Sequence, residues 1–376
     1  NDDVLAPTVT SLSPAAGPTG GGTTVVITGT NLTGATAVSF GGTAAAGFTV
    51  NSATQIAVIA PAHAAGIVDV RVTTPGGTSA ISAADQYAYV AAPTVTSISP
   101  TAGPTAGGTT VTVAGTNFTG ATAVSFGGTA AVAFTVNSAT QITATAPARA
   151  AGTVDITVTT VGGTSAVSAA DQYAYVAAPT VTAVSPNQGP VAGGTTVTIT
   201  GTGFSAAPGT GAVRFGTATA TYTINSNTQI TATAPAGAVG PVDITVTTPG
   251  GTSATSAADR YTYMAAPVAS SFTYGSIVPY NHGADAPTSF NLSSQVTNSP
   301  TSYAVGSATT AQGGSVSIDS TGQVTYVPPR GYRNANDSFT YTATSANGTS
   351  APATVTLTIG NPTISLSAAS LPPWSL

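Results

Sequence analysis

The sequence predicts an all-β protein: a tandem array of small β-sandwiches laid end to end as an extended rod. Three observations carry that expectation. The chain repeats itself, because Pro7, Pro93, Pro179 and Pro267 each open a new segment, in steps of 86, 86 and 88 residues. Only 18 of 86 positions differ between the segments that start at Pro7 and Pro93. Within each segment, short runs alternate apolar and polar residues between Gly and Pro, the period-two pattern of half-buried strands. No run shows helical spacing with capping residues. A chain of 376 residues also exceeds what one core serves.

The first segment illustrates the strands in order. Thr8-Val-Thr-Ser-Leu-Ser13 alternates and reads as a strand, followed by a turn-rich connection from Pro14 to Gly22. Thr23–Thr28 and Ala37–Phe40 are the next two strands, the latter closed by the turn Gly41-Gly42. Gly47–Val50, Gln55–Ile59, Val68–Thr73 and Gln86–Val90 complete about seven strands in each segment of 86 residues. That is the pattern of an immunoglobulin-like sandwich.

Composition narrows the function classes. The 43 Gly and 26 Pro accompany only 5% charged residues, with no Lys and no Glu; six Arg and eleven Asp leave a net charge of −5. No basic stripe exists to displace phosphate counterions, which disfavours nucleic acid, and attachment to anionic lipid fails for the same reason. No apolar run reaches the length of a membrane span. Cysteine is absent, which removes disulfides, thiolate chemistry and Cys-based zinc sites. The acidic start Asn1-Asp2-Asp3 shows no secretion signal, so the chain is expected to begin after a removed one or inside a longer protein.

A motif recurs in all three repeats. In the second it reads Ser99-Pro-Thr-Ala-Gly-Pro-Thr-Ala-Gly-Gly-Thr-Thr-Val-Thr-Val-Ala-Gly-Thr-Asn-Phe118, then Val124-Ser-Phe-Gly-Gly128 and Gly152-Thr-Val-Asp-Ile-Thr-Val158. This pattern resembles the IPT/TIG class of immunoglobulin-like domains. The resemblance implies the sandwich fold; members occur in bacterial surface adhesins, as accessory modules of polysaccharide-active enzymes, and in eukaryotic receptors and DNA-binding factors. The fourth segment lacks the motif. Its Gly322–Tyr332, Asn336-Asp-Ser-Phe-Thr-Tyr341 and Ala353–Ile359 runs resemble bacterial immunoglobulin-like or cadherin-like modules, and Asn347-Gly348 signals a two-residue hairpin. The expected domains are residues 6–91, 92–177 and 178–266 for the three repeats and 267–360 for the fourth. Residues 361–376 read as the start of a truncated further module or a tail.

The joints carry mechanical meaning. Tyr89-Val-Ala-Ala-Pro93 leaves about three residues between modules, and Pro93, Pro179 and Pro267 fix their own φ and extend the residue before them. Such joints transmit direction rather than act as free coil.

Candidate sites are sparse. Asp69, Asp155 and Asp243 share one repeat position, and Asp85, Asp171 and Asp259 another; each reads as a solvent-facing or turn-capping residue rather than a calcium ligand. Asp2-Asp3, and Asp337 beside Asn334 and Asn336, are weak cation candidates that fit no EF-hand spacing. His63 aligns with Arg149 and Gly237, which reads as an indifferent loop position. Asn31 and Asn117 begin Asn-x-Thr sequons, but Gly203 replaces them in repeat three, so tolerance of positive φ explains the choice. Phe40, Phe48, Tyr87 and Tyr89 align with Phe126, Phe134, Tyr173 and Tyr175, a core pattern. Tyr280, His282 and Tyr332 of the fourth segment are the candidate ligand surface. Paired catalytic carboxylates, a nucleophile elbow and a phosphate loop are all missing from the sequence, so no catalytic residue, cofactor or metal is expected.

The leading expectation is a non-enzymatic extracellular stalk, fibre-forming or adhesin region of a bacterial surface protein. Self-association through edge strands or loops is a possible addition to it. The competing expectation is a module that binds glycan or a surface protein, including an accessory region of a polysaccharide-active enzyme.

Overall fold

The computed structural model describes residues 5–206, 212–277, 287–332 and 334–360. They build two compact units: one runs to Ala178 and includes Pro249–Gly251, and the other comprises Pro179–Thr248 and the residues from Thr252 onward. Every regular element of more than three residues is a strand.

In the first module the strands are β1 (Thr8–Ser13), β2 (Ala16–Pro18), β3 (Thr24–Thr30), β4 (Ala37–Phe40), β5 (Thr43–Ala44), β6 (Gly47–Ser52), β7 (Gln55–Ile59), β8 (Gly66–Thr74), β9 (Gly77–Thr78) and β10 (Gln86–Val90). They form one sheet in the order β1-β3-β7-β6 and a second in the order β2-β10-β8-β4-β5, with β9 folded back on β8. The second and third modules repeat this topology strand for strand. The three strands beyond the expected seven are short. β2 lies where a turn-rich connection is expected, and it pairs in parallel with β10 through Ala16-Gly17-Pro18.

Alternation along each strand sends every second residue inward. In β3, Val25, Ile27 and Gly29 are buried while Thr24, Thr28 and Thr30 are exposed. Each module therefore closes on its own core. In the first, Val25, Ile27, Ile56, Val58, Val70 and Val72 surround Phe40, Tyr87 and Tyr89, and burying each such side chain is worth about 1.5–3 kcal/mol. The Phe40 and Tyr87 rings meet edge to face at 5.2 Å. The aligned Phe126–Tyr173 and Phe215–Tyr261 pairs do so at 5.4 and 5.1 Å. Phe48 and Phe134 pack on their cores half-buried.

The glycine of the Gly-Pro motif has a steric reason. A Cβ on Gly17 would stand 2.1 Å from the Tyr87 hydroxyl, and on Gly103 2.0 Å from that of Tyr173. The buried tyrosine of the last strand thus selects glycine on the neighbouring strand.

The fourth module is a sandwich of another pattern. Phe272–Ile277, Ala353–Ile359, Ala335–Ser345 and Ser302–Val305 form one sheet in that order, the first pair parallel; Thr288–Asn291, Gln323–Val327 and Ser315–Ile318 form another. The expected hairpin is present, but Ser345 pairs with Gly348. Its turn is therefore Ala346-Asn347, with Gly348 at φ 125° opening the return strand.

Candidate functional site

The joints between modules are the structural sites that the sequence marks. Pro93, Pro179 and Pro267 are all buried. In the first unit the end of β10 lies against the second module's hairpin: a Cβ on Gly162 would meet the Ala91 carbonyl oxygen at 2.3 Å. In the second unit, Asn298 Nδ2 donates to the Ala266 carbonyl just before Pro267 at 2.9 Å.

The repeated carboxylates are internal. Asp85, Asp171 and Asp259 are fully buried, which corrects the solvent-facing alternative and supports the capping one. Each closes a short 3-10 turn by a reciprocal capping box, as in Ser82 N–H donating to Asp85 Oδ2 at 3.0 Å. Their Oδ1 atoms have no hydrogen-bond partner. Burial pushes all three carboxyls above the ordinary carboxylate value, and the aligned Asp69, Asp155 and Asp243 add to the rise by charge repulsion. Among the described residues no group of three metal-ligating side chains converges.

Asp337 is the opposite case. It is buried, with Tyr326 OH (2.7 Å) and the Thr310 hydroxyl donating to Oδ2 and the backbone N–H groups of Gln312 (2.9 Å) and Ser338 (2.7 Å) donating to Oδ1. Four donors satisfy this carboxylate from within its own module. Burial and the adjoining Asp337 carboxylate raise the Tyr326 phenol above its ordinary range.

The position shared by His63, Arg149 and Gly237 is a structured slot rather than an indifferent loop. Its backbone is held alike in all three modules, with N–H donating to Thr19, Thr105 and Val191 carbonyls at 2.9, 2.8 and 2.9 Å. His63 stacks on Tyr89 with ring centroids 5.1 Å apart. The Arg149 guanidinium donates to the Phe126 and Gly127 carbonyls and the Thr129 hydroxyl at 3.0, 2.9 and 2.9 Å. Gly237 places nothing there. A cavity of about 390 Å³ opens instead, lined by Phe215, Thr217, Ala218, Val239, Pro241 and Tyr263.

Of the expected ligand surface, Tyr280 and His282 lie outside the described residues, as do Asp2 and Asp3. Tyr332 is half-buried against the core, and its hydroxyl donates to the Asn336 carbonyl at 2.9 Å. Tyr274 is half-buried and stacks on Phe290 with centroids 4.1 Å apart. Asn31 and Asn117 take φ of 55° and 60°, and Gly203 takes 78°, the left-handed turn conformation. Their Nδ2 groups donate to the Ala6 and Ala92 carbonyls.

Comparison with known proteins agrees with this architecture. The IPT/TIG domain family matches residues 7–89, 93–175 and 179–263, and the bacterial Ig domain family matches residues 264–358. The chain belongs to the IPT/TIG family, as three tandem domains followed by one bacterial Ig domain. Among solved structures it is similar to the full extracellular region of plexin A4, at 20% identity and a TM-score of 0.34; the match covers 92% of this chain and 30% of that one. It is also similar to SGBP-B from a complex xyloglucan utilization locus in Bacteroides uniformis, at 21% identity and a TM-score of 0.22, covering 55% of this chain and 63% of that one. A third similarity is to invasin, a bacterial integrin-binding protein, at 14% identity and a TM-score of 0.26, covering 93% and 79%. No helix among the described residues is long and apolar enough to cross a membrane.

Proposed function

We propose that this chain is a non-enzymatic spacer of a bacterial extracellular or cell-surface protein, one that holds a functional part at a distance by stacking sandwiches. The observation that carries the reading is recurrence. One sandwich appears three times with the same core aromatics, the same buried carboxylate and the same buried junction proline. A spacer needs length and uniformity, whereas a set of specialised binding sites would diverge between copies. The joints favour stiffness, since the glycine at the first joint brings backbone against backbone and an asparagine ties the joint before Pro267.

With modules roughly 35–45 Å long, four in line reach roughly 140–180 Å. Small-angle X-ray scattering on the intact chain tests this. The expected radius of gyration is about 40 Å or more, set by that length, whereas a compact particle of this size would give about 21 Å. The compact value would sink the spacer reading.

A further inference from the structure

Gly237 removes a side chain that the sister modules supply; it keeps their backbone hydrogen bond, while the Tyr263 ring lies close to where a Cβ would stand. The three slot residues follow aligned Ala-Pro pairs, and their N–H groups donate to aligned carbonyls. The opposite wall is also kept. Phe215-Gly216 aligns with Phe126-Gly127, and Gly216 has φ 60° where Gly127 has 55°. The two carbonyls that receive Arg149 in the second module therefore have counterparts in the third, at Phe215 and Gly216. Below them lies Tyr263, matching Tyr89 and Tyr175, with its hydroxyl held on the Pro235 carbonyl at 2.7 Å. Tyr89 makes the same bond to Pro61 at 2.8 Å. The cavity left above it has about 390 Å³, within the range of roughly 300–1,000 Å³ typical of ligand pockets.

We propose that this slot in the third module binds a guanidinium group on an extended stem, that is, an arginine side chain of another polypeptide. The chemistry is read from the second module, where an internal guanidinium sits at the aligned position and donates through Nη1 to the same wall. A guanidinium is more weakly hydrated than an ammonium, so it enters a half-enclosed site lined by carbonyl oxygens at a smaller desolvation cost. The Tyr263 ring beside it adds a π face for the cation. A chain of net charge −5 attracts such a group. One partner of the internal site is missing: Thr129, whose hydroxyl accepts from Arg149, is Ala218 in the third module. Binding is therefore weaker than a fully matched site would give.

The slot stands whether or not the array serves as a spacer. The test is calorimetric titration of the intact chain with N-acetyl-L-argininamide, with N-acetyl-L-lysinamide as the comparison. The expected result is one saturable equivalent of the arginine compound per chain and at least tenfold weaker binding of the lysine compound. Arg149→Gly empties the aligned slot in the second module and is expected to raise the count to two equivalents. Ala218→Thr is expected to tighten the first site severalfold, and Gly237→Arg to abolish it. Because a Cβ at position 237 would stand 2.6 Å from the Tyr263 ring, the Arg149→Gly and Ala218→Thr variants provide the decisive evidence if Gly237→Arg disturbs the fold. No saturable binding to the intact chain, equal binding of the two compounds, or one unchanged equivalent in Arg149→Gly would each overturn the proposal.

Discussion

The first three modules and the fourth bury a carboxylate in different ways, although they share a hairpin. Thr73–Ser79, Thr159–Ser165, Thr247–Ser253 and Thr344–Ser350 all follow one pattern, with Gly-Thr-Ser at the return. In each, the buried serine accepts from a backbone N–H seven residues back, at 3.0, 3.1, 3.1 and 3.0 Å for Ser79, Ser165, Ser253 and Ser350. The carboxylates diverge. Asp337 has both oxygens bonded by four donors, while Asp171 uses one oxygen as a cap, leaves the other orphaned and faces Asp155. The first arrangement is a satisfied polar node that holds a sheet to its neighbouring loop. The second is a capping device that keeps a desolvation penalty in every repeat. Satisfaction, rather than burial alone, separates a stabilising carboxylate from a tolerated one.

The largest expected effect is at the satisfied node. Asp337→Ala strands four donors and should destabilise the fourth module by about 3–5 kcal/mol. Chemical denaturation of the intact chain should show that module unfolding earlier while the others are unchanged. A loss below about 1 kcal/mol would erase the contrast drawn above.

Next comes the glycine that the fourth module does without. Gly103→Ala forces a Cβ into the Tyr173 hydroxyl and the Thr109 side chain. It should cost the second module about 1–3 kcal/mol by overpacking, read from the same denaturation curves.

A smaller effect sharpens the comparison through pH. The Asp171 carboxyl lies above its ordinary value of 3.8, chiefly through burial. A raised folded-state pKa means that the fold prefers the protonated form. The associated stabilisation is complete below the unfolded value and is lost as pH rises through the folded one. Asp171→Asn should therefore flatten the fall in the second module's melting temperature between acid and neutral pH, and raise that temperature at pH 7. In the first module the same slope should be shallower. Arg71 offsets the rise at Asp85 there, whereas Thr157 and Thr245 occupy the aligned positions. Equal slopes in the two modules would contradict this account.

The smallest effect is at the turn asparagine. Asn117→Gly should change stability by no more than about 0.5 kcal/mol, because the third repeat already uses glycine at the same positive φ. A larger loss would show that the bond to the Ala92 carbonyl, rather than the backbone, sets the residue.

Strands that alternate were legible from the sequence, and Ala37–Phe40, Gln55–Ile59 and Gln86–Val90 appear with the expected bounds. What was not legible has local causes. Ala16-Gly17-Pro18 carries two residues that ordinarily break strands, and only the parallel partner β10 makes it one. The hairpin turn at Ala346-Asn347 sits one residue before the Asn-Gly signal, because Gly348 is needed at its own positive φ in the return strand. Burial of Asp85 is not legible because a capping residue and a solvated one look alike in sequence. The slot at Gly237 is hidden because variation at one position reads as tolerance. A signal was present all the same: Arg149, Gly128 and Thr129 all change in the third repeat, to Gly237, Thr217 and Ala218, on two walls of one space.

Whether each sandwich contributes its own increment of length is best measured by excision. Removing residues 93–178 deletes one full repeat and joins Ala92 to Pro179, restoring the same joint sequence. Scattering from this shortened chain should show a maximum dimension smaller by about 35–45 Å, one module length. A decrease of only a few ångströms, as when a compact particle loses a quarter of its mass, would contradict the account.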